Sequence, residues 1–321
     1  MTGKTGFLQF ISANIQLAKP VKRRNPGPLA KYGIMFLETD HKRATAWLSR
    51  AVLCGGGSDA VKSLLDKQDQ VESAGYPSHH YNRGMVKFSL GDKEGGMAEI
   101  RAAIAIYKEQ PGSTVRDKCM LQMCVGSVAA LAKSNDIASM LAIFEETFAF
   151  FDSQPASKER DEVIGRECSR LGEYFYCNRF RKEHMDYLKA AAYFFENSVK
   201  FFEALPNQGG YGNRNKYVWA IANAGLACHE MGDHAEDGQK EQLYRKAVKL
   251  YYKFIEQYYQ DDSFFGVEVR KIADFYDYRH AAKLRIGDKT GAAVDLATAK
   301  KIYANRQKQI DNDVALEQAF R

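Results

Sequence analysis

The sequence predicts an all-α protein, a solenoid of about six antiparallel helix hairpins preceded by an extended N-terminal arm. Three observations carry this expectation. From Tyr32 onward, apolar residues recur at three- and four-residue spacing, which places them on one face of a helix. Turn chemistry interrupts that period at Gly56, Gly91, Asn135, Asn178, Gly232 and Gly287, at intervals of 35 to 55 residues. No strand-like alternation with matching turn residues occurs. A two-helix unit cannot bury its apolar face alone, so successive hairpins must stack into one continuous core.

The chain is expected to comprise an arm, residues 1–37, and a helical-repeat domain, residues 38–321. In the arm, Phe7, Phe10, Ile11, Ile15 and Ala18 would line one side of a short helix. The stretch from Lys19 to Pro28 contains three prolines, which fix an extended backbone and remove donors. The first hairpin breaks at Gly55 to Asp59, between Ala44, Trp47, Leu48 and Val52 and a second run through Val61, Leu64 and Leu65. The second spans Tyr81 to Tyr107 and turns at Gly91-Asp92. There, glycine tolerates the left-handed exit from one helix and aspartate caps the next. Gly84 is expected to let the second helix approach closely at Ala103. The third hairpin turns at Ser134 to Asp136, and the fourth near Asn178-Arg179. The fifth is expected to break at Gly232-Asp233, with a small insertion at His234 to Lys240. The sixth turns at Gly287-Asp288, and Ile302 to Phe320 is expected to form a separate capping helix.

The second hairpin resembles a tetratricopeptide (TPR) repeat, through its Tyr-Asn-x-Gly opening, Gly84, Gly91-Asp92, Ile100 and Ala103. Gly96, where alanine is usual, and the late Pro111 depart from that pattern. The likeness returns at Gly225, Gly232, Tyr244 and Ala247, and at Gly287, Ala292, Leu296 and Ala299. It implies that the first helix of each hairpin lines a concave groove. The partner-binding candidates implied are Tyr81, Met85 and Phe88, then Trp219, Leu226 and His229, then Asp277, Leu284 and Arg285. The clamp that chaperone-binding members use for a peptide carboxylate is missing, because its leading positions hold Tyr81 and Met85, or Ala222 and Leu226.

The net charge is +6, and its position matters more than its size. Lys4, Lys19, Lys22, Arg23, Arg24 and Lys31 precede the first acid, Glu38, which leaves 40 basic and 40 acidic residues in the remainder. A neutral body lacks the clustered cations of a nucleic-acid groove, so no nucleic-acid partner is expected. The acid-free basic arm resembles a mitochondrial targeting segment. Lys19, Lys22, Arg23 and Arg24 are its candidate contacts, whether to a neighbouring subunit or to a membrane surface or lipid; a solvated tail is the alternative. Nothing approaches the roughly 18 unbroken apolar residues of a membrane span. Cys54, Cys119, Cys124, Cys168, Cys177 and Cys228 are scattered irregularly, which fits buried free thiols in a reducing compartment, the mitochondrion or otherwise the cytoplasm.

Candidate chemistry is sparse. Thr2-Gly3-Lys4-Thr5 lacks the strand that a phosphate-binding loop requires. Cys228, His229 and His234, with Cys177 and His184, contain no CxxC pair, and adjacent Cys228 and His229 diverge by about 100 degrees on a helix. No metal, cofactor or enzymatic activity is expected, since no nucleophile, base and orienting group are seen to converge. The surplus is aromatic: 18 Tyr, 19 Phe and 2 Trp, more than one core stripe needs. Tyrosine combines apolar area with a polar tip, so part of this surplus is expected to contact protein. The resulting expectation is a non-catalytic scaffold or accessory subunit of a mitochondrial membrane-associated complex of respiratory or ATP synthase type. The alternative is a free peptide-binding adaptor or assembly factor.

Overall fold

The computed structural model describes residues 77–133, 136–155, 157–180, 184–205, 211–259 and 269–319. The hairpin expected around Gly56, Cys54, and the arm with Lys19, Lys22, Arg23 and Arg24 lie outside the described residues. Among those described, ten helices and no strand occur. They fall into two compact units that divide after Pro155.

The first unit contains α1 (Pro77–Ser89), α2 (Lys93–Glu109), α3 (Thr114–Lys133) and α4 (Ile137–Asp152). Here α1 packs on α2 and α3, while α4 packs on α3 and α2. The second unit contains α5 (Lys158–Cys177), α6 (His184–Glu203), α7 (Tyr211–His234), α8 (Asp237–Tyr259), α9 (Val269–Arg285) and α10 (Lys289–Ala319). Each of these packs on its neighbour in sequence, and α5 also reaches α7. Contact between a helix and the second one along is what stacking of successive hairpins produces.

Two kinds of lock hold the hairpins. The first is electrostatic and occurs in both units. Gly91 and Gly287 adopt φ of 82° and 81°, the left-handed region that glycine enters without strain. The following aspartate N–H then closes the helix end, Asp92 to the Lys87 carbonyl and Asp288 to the Lys283 carbonyl, both at 2.9 Å. Each aspartate next caps the new helix, accepting from Gly95 N–H at 3.0 Å or Gly291 N–H at 2.9 Å. Around this turn, an Arg and a Lys sit at matching offsets before the glycine, and an acid at the matching offset after it. In α1 and α2 they are Arg83, Lys87 and Glu99, at 3.0 and 2.9 Å, with His80 at 2.8 Å. In α9 and α10 they are Arg279, Lys283 and Asp295, at 2.6 and 2.9 Å, under the ring of Tyr252. Burial alone would push the Asp295 carboxyl up. Hydrogen bonds from Arg279 and Lys283, and their charges, outweigh burial and hold it below the ordinary carboxylate value.

The second lock is steric. Gly165 and Gly172 on α5 lie beneath the rings of Phe202 and Phe195 on α6, while Gly225 and Gly232 on α7 lie beneath Tyr251 and Tyr244 on α8. Both pairs of glycines, and both pairs of rings, are seven residues apart, two helical turns, so antiparallel helices bring each ring onto its glycine. A β-carbon at Gly172 would come within 2.6 Å of the Phe195 ring, and one at Gly225 within 2.7 Å of Tyr251. Much of the aromatic surplus is used here: Phe194, Phe195, Phe202, Tyr251 and Phe254 are almost wholly buried.

The structure corrects three expectations. Gly84 faces Gly96, Glu99 and Ile100 of α2, not Ala103, so the closest approach is nearer the turn. Gly96 itself leaves room for the Phe88 ring, and this is why alanine is absent there. The fifth hairpin does not break at Gly232-Asp233, and His234 to Lys240 is no insertion. α7 continues through His234 and α8 begins at Asp237, because Tyr244 covers Gly232 and donates to Asp233 Oδ1 at 2.7 Å, keeping that turn helical. The capping helix from Ile302 is not separate either. α10 runs unbroken for 31 residues, with no glycine or proline after Gly291 to stop it. The thiols divide as well, Cys124, Cys168 and Cys228 being buried and Cys177 exposed.

Three substitutions separate these locks. Asp295→Asn leaves two buried cations without a counter-charge and should cost about 3–5 kcal/mol in urea unfolding. Because its folded value is lowered, the stability it supplies should be complete above the unfolded value of 3.8 and disappear as the pH falls through the folded one. Gly172→Ala should cost about 1–3 kcal/mol by overpacking. Gly238→Ala, in open space at the start of α8, should be neutral or stabilise by up to about 1 kcal/mol.

Candidate functional site

In the second unit α7 lies between α6 and α8 and also meets α5. One row along it, Asn215, Trp219, Asn223, Leu226 and Glu230, is only half-buried and ends at exposed Asp233. Trp219 leans toward Phe254 and Phe275, with ring centroids 5.8 and 6.4 Å away and the Lys271 ammonium 5.2 Å from the indole. Leu226 continues the row. Leu284 and Arg285, at the end of α9, are exposed, and Arg285 lies 3.7 Å from Asp233. Trp219, Leu226, Leu284 and Arg285 therefore belong to two helices, α7 and α9, of one unit.

The three candidates on α1 are placed differently. The Tyr81 hydroxyl lies against Gly126 of α3, and burial raises its pKa. Phe88 covers Gly96 and so closes its own hairpin. Met85 is half-buried. Asp277 accepts a hydrogen bond from Tyr303 at 3.2 Å, beside the shorter one Tyr303 gives Asp274 at 2.5 Å.

At the turn end of this row the side chains form a polar network that single-sequence reading did not find. Arg179, in the turn after α5, lies between the rings of Tyr176 and Phe180 at 3.9 and 4.2 Å. Its Nε donates to both carboxylate oxygens of Glu230, at 2.7 and 2.9 Å, and Nη1 donates to the Tyr176 carbonyl at 2.8 Å. Tyr176 is hydrogen-bonded to the same Glu230; burial, more than that carboxylate, raises its phenol. His184 Nδ1 donates to the Arg179 carbonyl at 2.7 Å, and its ring meets His234 edge-on at 4.5 Å. Beside them, His229 Nδ1 is 3.2 Å from the Tyr251 hydroxyl, and Tyr278 stacks on Tyr251 at 6.2 Å. These partners are far apart in sequence, as Arg179 and Glu230 show, and no local motif links them.

Chemically, the face offers hydrogen bonds and apolar area. Burial pushes the Cys124 and Cys228 thiols up to about 12, so both remain protonated at neutral pH. Among the described residues, no three His, Cys, Asp or Glu side chains are grouped to hold a metal ion. His229 and His234, considered together with Cys228 in the sequence, have different neighbours: Tyr251 and Tyr244 for His229, His184 for His234. No helix of the described residues is long and apolar enough to cross a membrane.

No protein-family model matches the chain, and no curated protein matches it significantly. What the structure establishes is the class: an all-helical, repeat-like protein whose helices pack in adjacent pairs, compatible with a TPR-like fold.

The network makes one acid-sensitive point. Burial lowers the His229 pKa, helped by Arg285 and opposed by Asp233 and Glu230. With the folded value below the unfolded 6.5, the unfolded chain binds more protons as the pH drops, so stability should fall below about pH 6.5. His229→Gln should flatten that part of the stability–pH curve, measured by thermal unfolding from pH 7.5 to 5; an unchanged curve would assign the dependence elsewhere.

Proposed function

We propose that the protein is a non-catalytic scaffold, an accessory subunit that joins other proteins within a larger assembly. The observation that carries this reading is the α7–α9 face. A rigid layer of buried rings supports a half-buried row containing Trp219 and Leu226, and at its edge Tyr278 and Leu284 remain 41% and 48% exposed. Pre-organised aromatic and aliphatic groups with a polar surround are the usual anchors of a protein interface. The groups around them are paired or keep their protons, which suits contact better than turnover. The basic, acid-free arm supports a mitochondrial, membrane-associated assembly of respiratory or ATP synthase type, with the arm on a neighbouring subunit or on lipid.

Gel filtration of the natively extracted protein, with immunodetection in mitochondrial and cytosolic fractions, tests the reading. The protein should elute with partner subunits, well above its 36.2 kDa. Leu284→Asp, an exposed change that should cost the fold no more than about 0.5 kcal/mol, should release it to lower mass. Elution of the unaltered protein as a monomer would sink the proposal.

A further inference from the structure

His184, at the start of α6, sits beside the clamp that Glu230 forms with Arg179 and Tyr176. Its Nδ1 meets the Arg179 carbonyl at 2.7 Å. A carbonyl can only accept, so that nitrogen carries the proton of the neutral ring and Nε2 is left as a bare acceptor. Nε2 is buried, has no hydrogen-bond partner among the described residues, and faces Glu230 Oε1 at 3.8 Å. Two acceptors therefore point at each other. A buried polar atom left in this way costs about 1–3 kcal/mol. One proton on Nε2 turns the same contact into a charge-assisted hydrogen bond.

The oxygen that this proton would draw is already in use. Glu230 Oε1 accepts from Arg179 Nε at 2.9 Å, and Oε2 accepts from the same nitrogen at 2.7 Å. Movement of Oε1 toward His184 lengthens the first bond and leaves the second, so Arg179 turns with its carboxylate. The exposed Phe180 ring lies 4.2 Å from that guanidinium, and the change reaches the surface there. The surrounding charges are balanced while the imidazoles are neutral: Arg179 is paired with Glu230, and Arg285 lies 3.7 Å from Asp233. A further proton leaves the corner net positive. His234 meets His184 edge-on at 4.5 Å, and charge on both rings would repel, so a single proton operates the pair. His229 makes its contacts with Tyr251 and Tyr244 of α8 instead.

Resting on the scaffold reading, we infer that His184 is a proton-operated switch: in acid it takes Glu230 Oε1 from Arg179, re-sets Phe180 and loosens the partner protein held at this end of the α7–α9 face. Imidazoles ordinarily gain or lose their charge between about pH 5 and 8. The partner is thus held near neutral pH and released as the pH falls.

The test places 4-fluorophenylalanine at position 180 of the full-length protein and follows its fluorine resonance from pH 7.5 to 5.5, with helix content checked by circular dichroism. The resonance should shift through one protonation. It should stay fixed in His184→Gln, whose amide keeps a donor for the Arg179 carbonyl but gains no charge. His229→Gln should leave the shift in place, which separates this switch from the stability effect of His229. A resonance indifferent to pH, or one that still shifts in His184→Gln while the helices remain intact, would overturn the inference. Gel filtration of the natively extracted protein at pH 7.5 and 5.5 reads the consequence. Partner subunits should be lost at the lower pH, with apparent affinity down about tenfold, and be retained by His184→Gln. Partner subunits that remain on the unaltered protein at pH 5.5 refute the switch alone. A monomer at pH 7.5 refutes the scaffold reading, and the fluorine titration still decides the switch.

Discussion

The contact on which the second unit depends is an aromatic ring packed against a glycine of the opposing helix. Dispersion between a ring and a backbone is worth little per atom pair and much in sum, but only at contact distance. Without a β-carbon at Gly165, Gly172, Gly225 and Gly232, the helices of α5–α6 and α7–α8 come close enough for four rings to cover backbone. Two such contacts, two turns apart, fix both the separation and the register of a hairpin. The rings then extend from one hairpin to the next: Tyr251, already over Gly225, packs on Phe275 of α9 with centroids 5.8 Å apart. One residue type at one spacing therefore makes the hairpin and passes the packing on.

Where a buried ion cluster holds the hairpin, in α9–α10 and, alongside the Phe88–Gly96 contact, in α1–α2, the physics differs and the geometry is kept. A buried carboxylate between Arg and Lys is specific about position, because a slip by one residue would leave uncompensated charge in a poorly solvated site. The two hairpins that use it belong to different units and agree at every lock position, from the arginine through the Gly-Asp turn to the acid. Such agreement points to one hairpin design used twice, with the intervening hairpins adapted to aromatic packing.

The face bearing Trp219, Leu226 and His229 is a by-product of the same arrangement. With rings directed onto its glycines from α8 and with α6 and α5 on its other flank, α7 keeps one row only half-buried. The polar network around Arg179 and Glu230 then fixes the turn end of that row. Phe180 is 78% exposed although its neighbour Arg179 is held by two rings and a carboxylate, so this corner combines a tethered side chain with an accessible one. Pre-organisation lowers the entropic cost of binding, which the proposed scaffold role would require.

Local chemistry was enough to read the helices, most turns and the all-α class from sequence, since helical period and Gly-Asp turns depend on neighbouring residues alone. Gly91 and Gly287 were legible for this reason. Gly232 was misleading: a glycine followed by aspartate looks like a helix exit, and only the ring of Tyr244, twelve residues away and folded back over it, keeps the helix going. Phe88 was likewise assigned to a groove because its face was known and its neighbour Gly96 was not. Trp219, Leu226, His229, Leu284 and Arg285 could be named from their positions on helix faces. Their joining to Tyr176, Arg179, Glu230 and Tyr251 depends on contacts across as many as 51 residues, which no single-sequence period records. The sequence by itself determined which residues are helical and where most turns fall, because those choices are settled within a few residues. Only the tertiary structure decided which glycines end a helix and which receive a ring, because that depends on what the opposing helix brings to them.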